Sequence, residues 1–529
     1  MFFKYFTPRT QNYLSLSSDR NKFVCFFFYS FFLLFFLSPD SYLYDVYFRC
    51  DSAWFFTCGK AWMNGMVPYV DFADSKGPLL WLIYGIGYLL NSHSYVGVFW
   101  VSCVFYAVSF TFAYKTSRLY LDRRASTIVL ALLPLFLFYK KLHYEVRAED
   151  FCNTFIFISL YSLCCILKGR TDKRQLFKYA FAVGASMTCC LLIKWNYFFM
   201  LGSMALVVLF VSIRKNTLFG LWGGLAGIAT PAVPFLVYFL IQGNFEAFVY
   251  EYFINTSATI DTGGIGGITQ KFLFGFGWKF QLFPIIVITG LILFCYNHKN
   301  HWGLLFSVLV FKCILALAVA RHYYCTMLPF VIFLLISLVA YMENKFTLSR
   351  RTVIPISFAL IICSIVTNLR YPNLIHGSVF TDSKEYRQSY YDISQLMATV
   401  KNPKVMFLQM DYGQGVLADA LPAGKYWARQ CGATPAMIKE RANDLQERKP
   451  DFFVANFSNE PAIQQQYEIT PTKLNQLHYV YCGNCIGEYF DQSISVYCKK
   501  ELYRKLPPVK LRTIDLLLKR DILSCNSER

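Results

Sequence analysis

Acidic side chains are concentrated in one stretch near the start of the chain, between Tyr44 and Leu80. It reads YDVYFRCDSAWFFTCGKAWMNGMVPYVDFADSKGPLL and places aspartates among aromatic residues, glycines and prolines: Asp45, Asp51, Asp71 and Asp74. A carboxylate can remove a proton from an acceptor hydroxyl, and a lysine such as Lys76 can hold a leaving phosphate. Aromatic rings can stack on sugars and anchor at a membrane interface. This composition is typical of a site for a polar substrate with a lipid tail.

Each of these groups also has a structural interpretation. Asp51 is our candidate for the general base, and the alternative is a solvated carboxylate at the membrane interface. Asp71 and Asp74 flank a turn, and turn chemistry explains them nearly as well as substrate binding does. Lys76 either contacts a donor phosphate or extends from the start of its helix toward the interface.

Further groups that could bind substrate flank later apolar segments: Arg147, Glu149, Lys194, Arg321 and His322. Arginine and lysine side chains at these positions could instead meet lipid headgroups. Glu149 opens an apolar segment, where an acid also complements the helix dipole. His322 could orient substrate or ligate a metal, and the alternative is a hydrogen-bonded histidine at the interface.

Lys312 differs from these groups because it lies inside an apolar run, GLLFSVLVFKCILALAVA. An ionisable residue within a membrane is costly and is by default a candidate for a functional site. Since Lys312 lies toward the predicted outer end of its segment, its amine could reach a lipid phosphate, or it could extend to the interface.

The composition indicates which elements position these residues. Hydrophobic residues make up 56% of the chain and charged residues 16%, whereas an ordinary soluble domain carries about 25% charged residues. Apolar runs of bilayer-spanning length, roughly 15 to 22 residues, recur between residues 21 and 368. We therefore expect a transmembrane catalytic domain over residues 1–368 and an extracytoplasmic α/β domain over 369–529. The net charge of +19 lies largely in short loops, as the positive-inside rule predicts, and does not indicate nucleic-acid binding.

About eleven transmembrane helices are predicted, with a cytoplasmic N-terminus and the C-terminal domain on the outer side. They lie near residues 21–38, 96–114, 125–139, 150–167, 179–193, 197–213, 217–241, 282–296, 302–319, 325–343 and 352–368. The first outer loop is 39–95 and the large outer loop is 242–281, whose glycines at 263–267 suit a mobile lid. Segment 79–90 is too short for a comfortable crossing and is predicted to lie on the membrane. If it crossed, the basic residues of 115–124 would fall outside and every later loop would invert.

The C-terminal domain is predicted to be mixed α/β, with strands near 404–409, 451–456 and 494–498 and a polar helix at 435–448. Residues 511–523 have helical apolar spacing and could pack on the domain or touch the membrane. Its cysteines are plausible disulfide partners: Cys431, Cys482, Cys485 and Cys498. The pair Cys482 and Cys485 also has the spacing of a redox or zinc motif, which a single pair supports only weakly.

The first loop resembles that of the GT-C superfamily of glycosyltransferases over roughly residues 20–345. It is similar especially to the group that includes the Rgt-like enzymes, the lipid A aminoarabinose transferase and the protein O-mannosyltransferases. Relatives share an acidic residue followed by G-x-x-P-Y-x-D-x-x-x-K-x-P-L, and this chain has Asp51 and then GMVPYVDFADSKGPL from Gly65 to Leu79. Arg147-Ala-Glu149 and His322-Tyr-Tyr are weaker matches. Many relatives have Asp-Glu where this chain has Asp51-Ser52, which weakens any role that needs a second carboxylate, such as metal coordination.

The resemblance implies a hexosyl- or pentosyltransferase that takes a sugar from a polyprenyl-phosphate donor in the outer leaflet. Inverting displacement at the anomeric carbon would need a base, here Asp51, and stabilisation of the departing phosphate, but no protein nucleophile. The partners are then that donor, membrane lipids and a glycan, lipid or protein acceptor, as in lipopolysaccharide or other cell-envelope glycan synthesis. A bacterial inner membrane fits the resemblance. No cofactor is implied with certainty, and a divalent metal stays open.

Two other functions compete with this interpretation. A transporter or flippase of lipid-linked glycans would show internal repeats or ionisable sites near the midplane, and Lys312 alone favours it. A polysaccharide polymerase or ligase would place its large loop elsewhere than at the first, acidic loop. The sequence does not identify the sugar or the acceptor.

Overall fold

The computed structural model describes residues 16–44, 51–139, 147–169, 171–258, 278–315, 321–346, 349–369, 393–408, 412–428, 434–455, 469–487 and 492–505. Contacts divide the chain into two compact units. The helical unit comprises Met1–Pro39, Trp100–Ile241 and Asp261–Arg370. The mixed unit comprises Asp40–Phe99, Gln242–Ile260 and Tyr371–Arg529. The first loop and the start of the large loop thus cluster with the C-terminal domain, while the sequence-based boundary after residue 368 stays a prediction.

Helices make up most of the described chain. In chain order they are α1 Leu16–Leu37, α2 Asp51–Met63, α3 Pro78–Leu90, α4 Val96–Arg118, α5 Arg123–Leu137, α6 Ala148–Leu167, α7 Lys173–Ile193, α8 Asn196–Arg214, α9 Phe219–Ile241, α10 Phe245–Val249, α11 Thr256–Ala258, α12 Trp278–Asn297, α13 Trp302–Leu315, α14 Val331–Lys345, α15 Arg350–Asn368, α16 Gly413–Leu417, α17 Pro435–Gln446, α18 Pro471–Gln476 and α19 Lys500–Tyr503. A π-helical turn, Tyr250–Asn255, joins α10 to α11, and a 3₁₀ helix, Arg321–Phe330, leads into α14.

Apolar composition and length make several of these helices suitable for crossing a membrane. Among the described residues seven segments meet both conditions: Val96–Arg118, Ala148–Leu167, Lys173–Ile193, Asn196–Arg214, Phe219–Ile241, Tyr323–Lys345 and Arg350–Asn368. Shorter apolar helices are Asn21–Leu37, Pro78–Leu90 and Phe283–Asn297. The described residues of the spans expected from the sequence are largely helical, so the polytopic helical class is confirmed. The number of crossings, and the placement of 79–90 on the membrane surface, stay predictions.

Close helix approaches in both units depend on glycine. In the helical unit a Cβ atom at Gly227 of α9 would lie 2.2 Å from the carbonyl oxygen of Phe181 on α7. In the mixed unit a Cβ atom at Gly59 of α2 would lie 2.5 Å from the backbone nitrogen of Gly85 on α3. Small residues let helix backbones pack this closely. The Gly59–Gly85 approach holds α2 firmly against α3. The two helices flank residues 64–77, which contain Asp71 and Asp74 and which we call the acidic turn.

A five-stranded sheet forms the centre of the C-terminal part of the mixed unit. Its strands are β1 Lys404–Leu408, β2 Leu421–Pro422, β3 Phe452–Ala455, β4 Tyr479–Gly487 and β5 Gln492–Lys499. The order is β2-β1-β3-β5-β4, with β1 parallel to β2 and β3, and β5 antiparallel to β3 and β4. Buried strand residues such as Met406 and Phe453 pack with Leu445 of α17. The predicted α/β character, strands and polar helix are confirmed, whereas residues 511–523 lie outside the described part.

Cys482 and Cys498 face each other across strands β4 and β5. Both thiols are buried, and their Sγ atoms are 3.1 Å apart. Their mutual interaction, followed by burial, raises the pKa of Cys482 well above its usual value. Cys431 and the side chain of Cys485 lie outside the described residues, so the Cys482–Cys485 motif is not tested.

We expect Cys482 and Cys498 to form a disulfide when the folded protein meets a small-molecule disulfide oxidant. The two thiols lose two protons and two electrons, and the oxidant is reduced to two thiols. Closing this loop should stabilise the domain by about 3 kcal/mol on the chain-entropy account. Peptide mapping without reduction tests the bond, with Cys482→Ser as control, and free Cys498 after oxidation of the wild type would contradict it.

Candidate functional site

The predicted base, Asp51, is the first residue of helix α2. Its side chain is partly buried, and its position in the first helical turn lets the carboxylate complement the helix dipole. The following residues of α2 are almost all buried, including Trp54 and Phe55. Packing of this helix therefore determines where the Asp51 carboxylate points, and its role as base stays a prediction.

Asp71 stabilises the turn that follows α2. Its Oδ2 atom accepts the backbone N–H of Val67 at 2.7 Å. Tyr69 has a φ of +66° and its N–H donates to the carbonyl of Phe72 at 2.8 Å. The Tyr69 hydroxyl donates to the carbonyl of Lys76 at 3.0 Å. These bonds match the turn interpretation of Asp71, and its substrate role stays a prediction.

Asp74 and Lys76 lie side by side at the end of this turn. The Oδ1 atom of Asp74 accepts the backbone N–H of Ser75 at 2.5 Å. The other oxygen, Oδ2, is buried, lies 3.9 Å from Lys76 Nζ and accepts no hydrogen bond within the described chain. Lys76 Nζ also lies 5.6 Å from the centroid of the Phe55 ring. The arrangement offers a carboxylate oxygen that can accept a proton next to a cation that can hold a phosphate.

Cys58 of α2 lies within electrostatic range of this pair. Burial raises the pKa of its thiol well above the usual value, and the negative charge of Asp74 raises it further. The indole groups of Trp427 and Trp54 and the charge of Lys76 lower it by less. Cys58 therefore remains a thiol at neutral pH and is unsuited to act as a nucleophile.

In the helical unit the structure brings together two of the predicted residues, Glu149 and Lys194. Lys194 Nζ lies 2.7 Å from Glu149 Oε1, and both side chains are buried. The same amine lies 3.4 Å from the centroid of the Tyr323 ring. The next residue, Asp150, accepts the Arg147 backbone N–H and the Tyr106 hydroxyl. Asp150 therefore caps the N-terminus of α6. Glu149 and Lys194 form a buried ion pair.

We expect Lys194→Met to destabilise the protein more than the double variant Glu149→Gln, Lys194→Met. Removing one partner of a buried pair leaves an uncompensated charge, which costs about 3–5 kcal/mol, whereas removing both charges avoids that penalty. Thermal unfolding in one detergent compares the single and double variants. A double variant whose loss equals the sum of the single losses would contradict this coupling.

The other predicted residues of the helical unit are placed by α13 and by the 3₁₀ helix before α14. Lys312 is buried in α13, with its Nζ 5.8 Å from the centroid of the Tyr324 ring. Arg321 and His322 begin the 3₁₀ helix, but their side chains lie outside the described part. Within the described residues no group of three or more His, Cys, Asp or Glu side chains could hold a metal ion.

Sequence reasoning missed a cluster in the mixed unit. Glu251 lies in the π-helical turn and is buried, with Lys425 Nζ 3.0 Å from its Oε1 atom. The Tyr426 hydroxyl donates to the same carboxylate at 2.8 Å. A second pair joins α2 to the C-terminal part of the unit: the buried amine of Lys60 on α2 lies 2.6 Å from the Asp419 carboxylate. Burial lowers the pKa of Lys60, and its hydrogen bond and charge interaction with Asp419 oppose that shift. The sequence held no local signal for these pairs, because Glu251 and Tyr426 are 175 residues apart in the chain.

Comparison with known proteins finds a family match over part of the chain and a similar fold among solved structures. Residues 75–238 match the family described as dolichyl-phosphate-mannose-protein mannosyltransferase. Apo ArnT from Cupriavidus metallidurans has a TM-score of 0.58 at 11% identity, covering 91% of this chain and 99% of ArnT. ArnT bound to undecaprenyl phosphate scores 0.56 at 11% identity, covering 91% and 98%. The oligosaccharyltransferase of Archaeoglobus fulgidus, in complex with Zn and sulfate, scores 0.45 at 10% identity, covering 88% and 71%. No curated protein sequence matches the chain.

The chain therefore has the ArnT fold, and the resemblance to GT-C glycosyltransferases that its first loop predicted is confirmed. The family match includes Lys76, Glu149 and Lys194 but begins after Asp51 and Asp74. Residues 75–238 thus resemble a mannosyltransferase family, and the chain shares its fold with ArnT.

Proposed function

On the premise of this fold, we propose that the chain transfers a sugar from a polyprenyl-phosphate donor to a glycan, lipid or protein acceptor. The observation that carries the proposal is the likeness over 91% of the chain to ArnT bound to undecaprenyl phosphate. The adjacent Asp74 and Lys76 side chains supply the two kinds of group that such a transfer needs.

The proposed reaction is a single inverting displacement. The acceptor oxygen forms a bond to the anomeric carbon while the bond from that carbon to the phosphate oxygen breaks. The acceptor proton passes to a carboxylate, for which Asp51 is the first candidate, and the electron pair leaves with the polyprenyl phosphate. Lys76 would stabilise the phosphate charge that develops, and the candidates for further donor contacts are Arg147, Lys194, Lys312 and Arg321. No covalent enzyme intermediate is needed.

The chain is a multi-pass integral membrane protein, and we propose that it acts on the outer side of a bacterial inner membrane. Basic residues in the short loops predict which ends of the spans face the cytoplasm. The first loop and the C-terminal domain would then both face outward, and they belong to the same compact unit. Lipopolysaccharide or another cell-envelope glycan is the proposed class of product.

Release of sugar from a panel of polyprenyl-phosphate sugars tests this function. Purified protein in lipid nanodiscs should hydrolyse or transfer at least one donor, and the same donor without the sugar should compete for binding. A matched panel of sugars linked to short, water-soluble phosphates controls for the lipid requirement. Neither turnover nor binding with any lipid-linked donor would sink the proposal and favour the transporter alternative, for which Lys312 is the supporting residue.

A further inference from the structure

A short segment of the C-terminal domain, residues 419–428, contacts elements of the first loop and of the large loop. We call it the bridging segment. Its Trp427 ring lies 6.0 Å from the ring of Trp54 on α2, centroid to centroid. Asp419 pairs with Lys60, also on α2. Both partners belong to the helix that begins with Asp51, so the bridging segment supports the helix carrying the predicted base.

The acidic turn is held by a backbone bond to the same segment. The N–H of Ala73, directly before Asp74, donates to the carbonyl of Lys425 at 2.9 Å. The turn also contacts the large loop, because Asn244 Nδ2 donates to the carbonyl of Pro68 at 3.0 Å. The Tyr69 ring packs on Phe248 with centroids 5.3 Å apart. The position of Asp74 thus depends on where Lys425 is held.

Glu251 holds Lys425 and Tyr426 in place. Its carboxylate accepts the Tyr426 hydroxyl at 2.8 and 2.9 Å and Asn255 Nδ2 at 2.9 Å, and it pairs with Lys425 Nζ at 3.0 Å. Burial raises the pKa of Tyr426, and the negative charge of Glu251 raises it further, so the phenol stays protonated and donates. Charge-assisted hydrogen bonds in a buried site are strong and directional.

The opposite side of the bridging segment is equally constrained. Arg441 of α17 is fully buried, and its guanidinium donates to the carbonyl of Tyr426 at 2.8 Å and to that of Ala428 at 2.5 Å. The N–H of Phe407 on β1 donates to the carbonyl of Trp427 at 2.7 Å. Hydrogen bonds from the sheet and from α17 therefore fix the backbone of the bridging segment, which in turn can position the acidic turn.

We propose that Glu251, Lys425 and Tyr426 are positioning residues for Asp74 and Lys76, so that the C-terminal domain completes the sugar-transfer site. The inference rests on the proposed function for its catalytic consequence. Its structural consequence does not depend on that function. Loss of the Glu251 contacts must increase the mobility of the turn that contains Ala73 and Asp74.

Lys425→Met and the nearly isosteric Tyr426→Phe test the inference in the full-length protein. Lys425→Arg is the conservative variant. Lys499→Met is the matched control, because Lys499 pairs with Asp451 at 2.9 Å within the same domain but on strand β5. Hydrogen exchange of residues 66–76 is measured in nanodiscs, together with kcat and KM for the lipid-linked donor.

We expect amide exchange in residues 66–76 to accelerate about 10-fold in Lys425→Met and in Tyr426→Phe, while β1 and β3 stay protected. Misplacing the turn should lower kcat about 10- to 100-fold with a smaller change in KM. Lys425→Arg should restore most of both properties, and Lys499→Met should change neither.

The two readouts separate the inference from the proposed function. Unchanged exchange at residues 66–76 in both variants overturns the inference, whatever the activity. Faster exchange with unchanged kcat overturns the positioning role. Faster exchange with lowered kcat and rescue by arginine supports it. Faster exchange in a protein that turns over no donor supports the mechanical link and counts against the transferase function.

Discussion

Replacing Asp51 with asparagine is expected to lower kcat for sugar transfer by about 10³-fold, within the range that a positioned general base contributes. Asparagine is close to aspartate in size and also suits a helix N-terminus, so α2 should keep its packing. The amide cannot accept the acceptor proton, whereas donor binding does not need the carboxylate. The loss should therefore appear in kcat, with the donor dissociation constant nearly unchanged.

Glu246→Gln is the control for this experiment, because Glu246 is an exposed acid of helix α10 in the same unit. It loses one negative charge as Asp51→Asn does, and it should keep wild-type turnover. The acidic limb of the pH–rate profile should disappear in Asp51→Asn alone. Turnover retained by Asp51→Asn would move the base to Asp74, whose Oδ2 atom has no hydrogen-bond donor in the described chain.

Replacing Lys76 with methionine is expected to lower kcat by about 10²- to 10³-fold, the usual loss when one group that stabilises transition-state charge is removed. Methionine keeps most of the length and the apolar stem of lysine, and it removes the amine that lies 5.6 Å from the Phe55 ring centroid. The missing charge matters most when phosphate leaves, because the negative charge on the leaving oxygen is then greatest. Donor binding should weaken by a smaller factor.

Lys76→Arg should retain part of the activity, since the guanidinium keeps the charge but not the shape of the amine. Lys439→Met is the matched control, because Lys439 is exposed on helix α17. Steady-state rates and donor binding are compared at one ionic strength. Equal kcat in Lys76→Met and Lys439→Met would show that Lys76 does not meet the phosphate.

The sequence predicted those features of the fold that depend on neighbouring residues. Apolar runs long enough to cross a bilayer coincide with helices throughout the described chain, because a membrane requires every backbone polar group to bond within its own segment. The strands containing Met406, Phe453 and Val496 were also predicted, because short buried strands appear in the sequence as runs of mainly apolar residues. The pattern from Gly65 to Leu79 identified the turn containing Asp74 and Lys76 and the fold family.

The tertiary structure alone decided which distant charges meet. Lys60 lies 359 residues from its partner Asp419 in the sequence, and Glu251 lies 175 residues from Tyr426. No periodicity or local spacing encodes such pairs. Each pair forms only where packing removes both groups from water, so that the charge of one group must be balanced by the charge or hydrogen bond of the other. Thus the sequence by itself predicted the class of protein and named candidate residues for the chemistry, whose roles stay predictions. Packing determined that Lys194 pairs with Glu149 and that the C-terminal domain contacts the acidic turn.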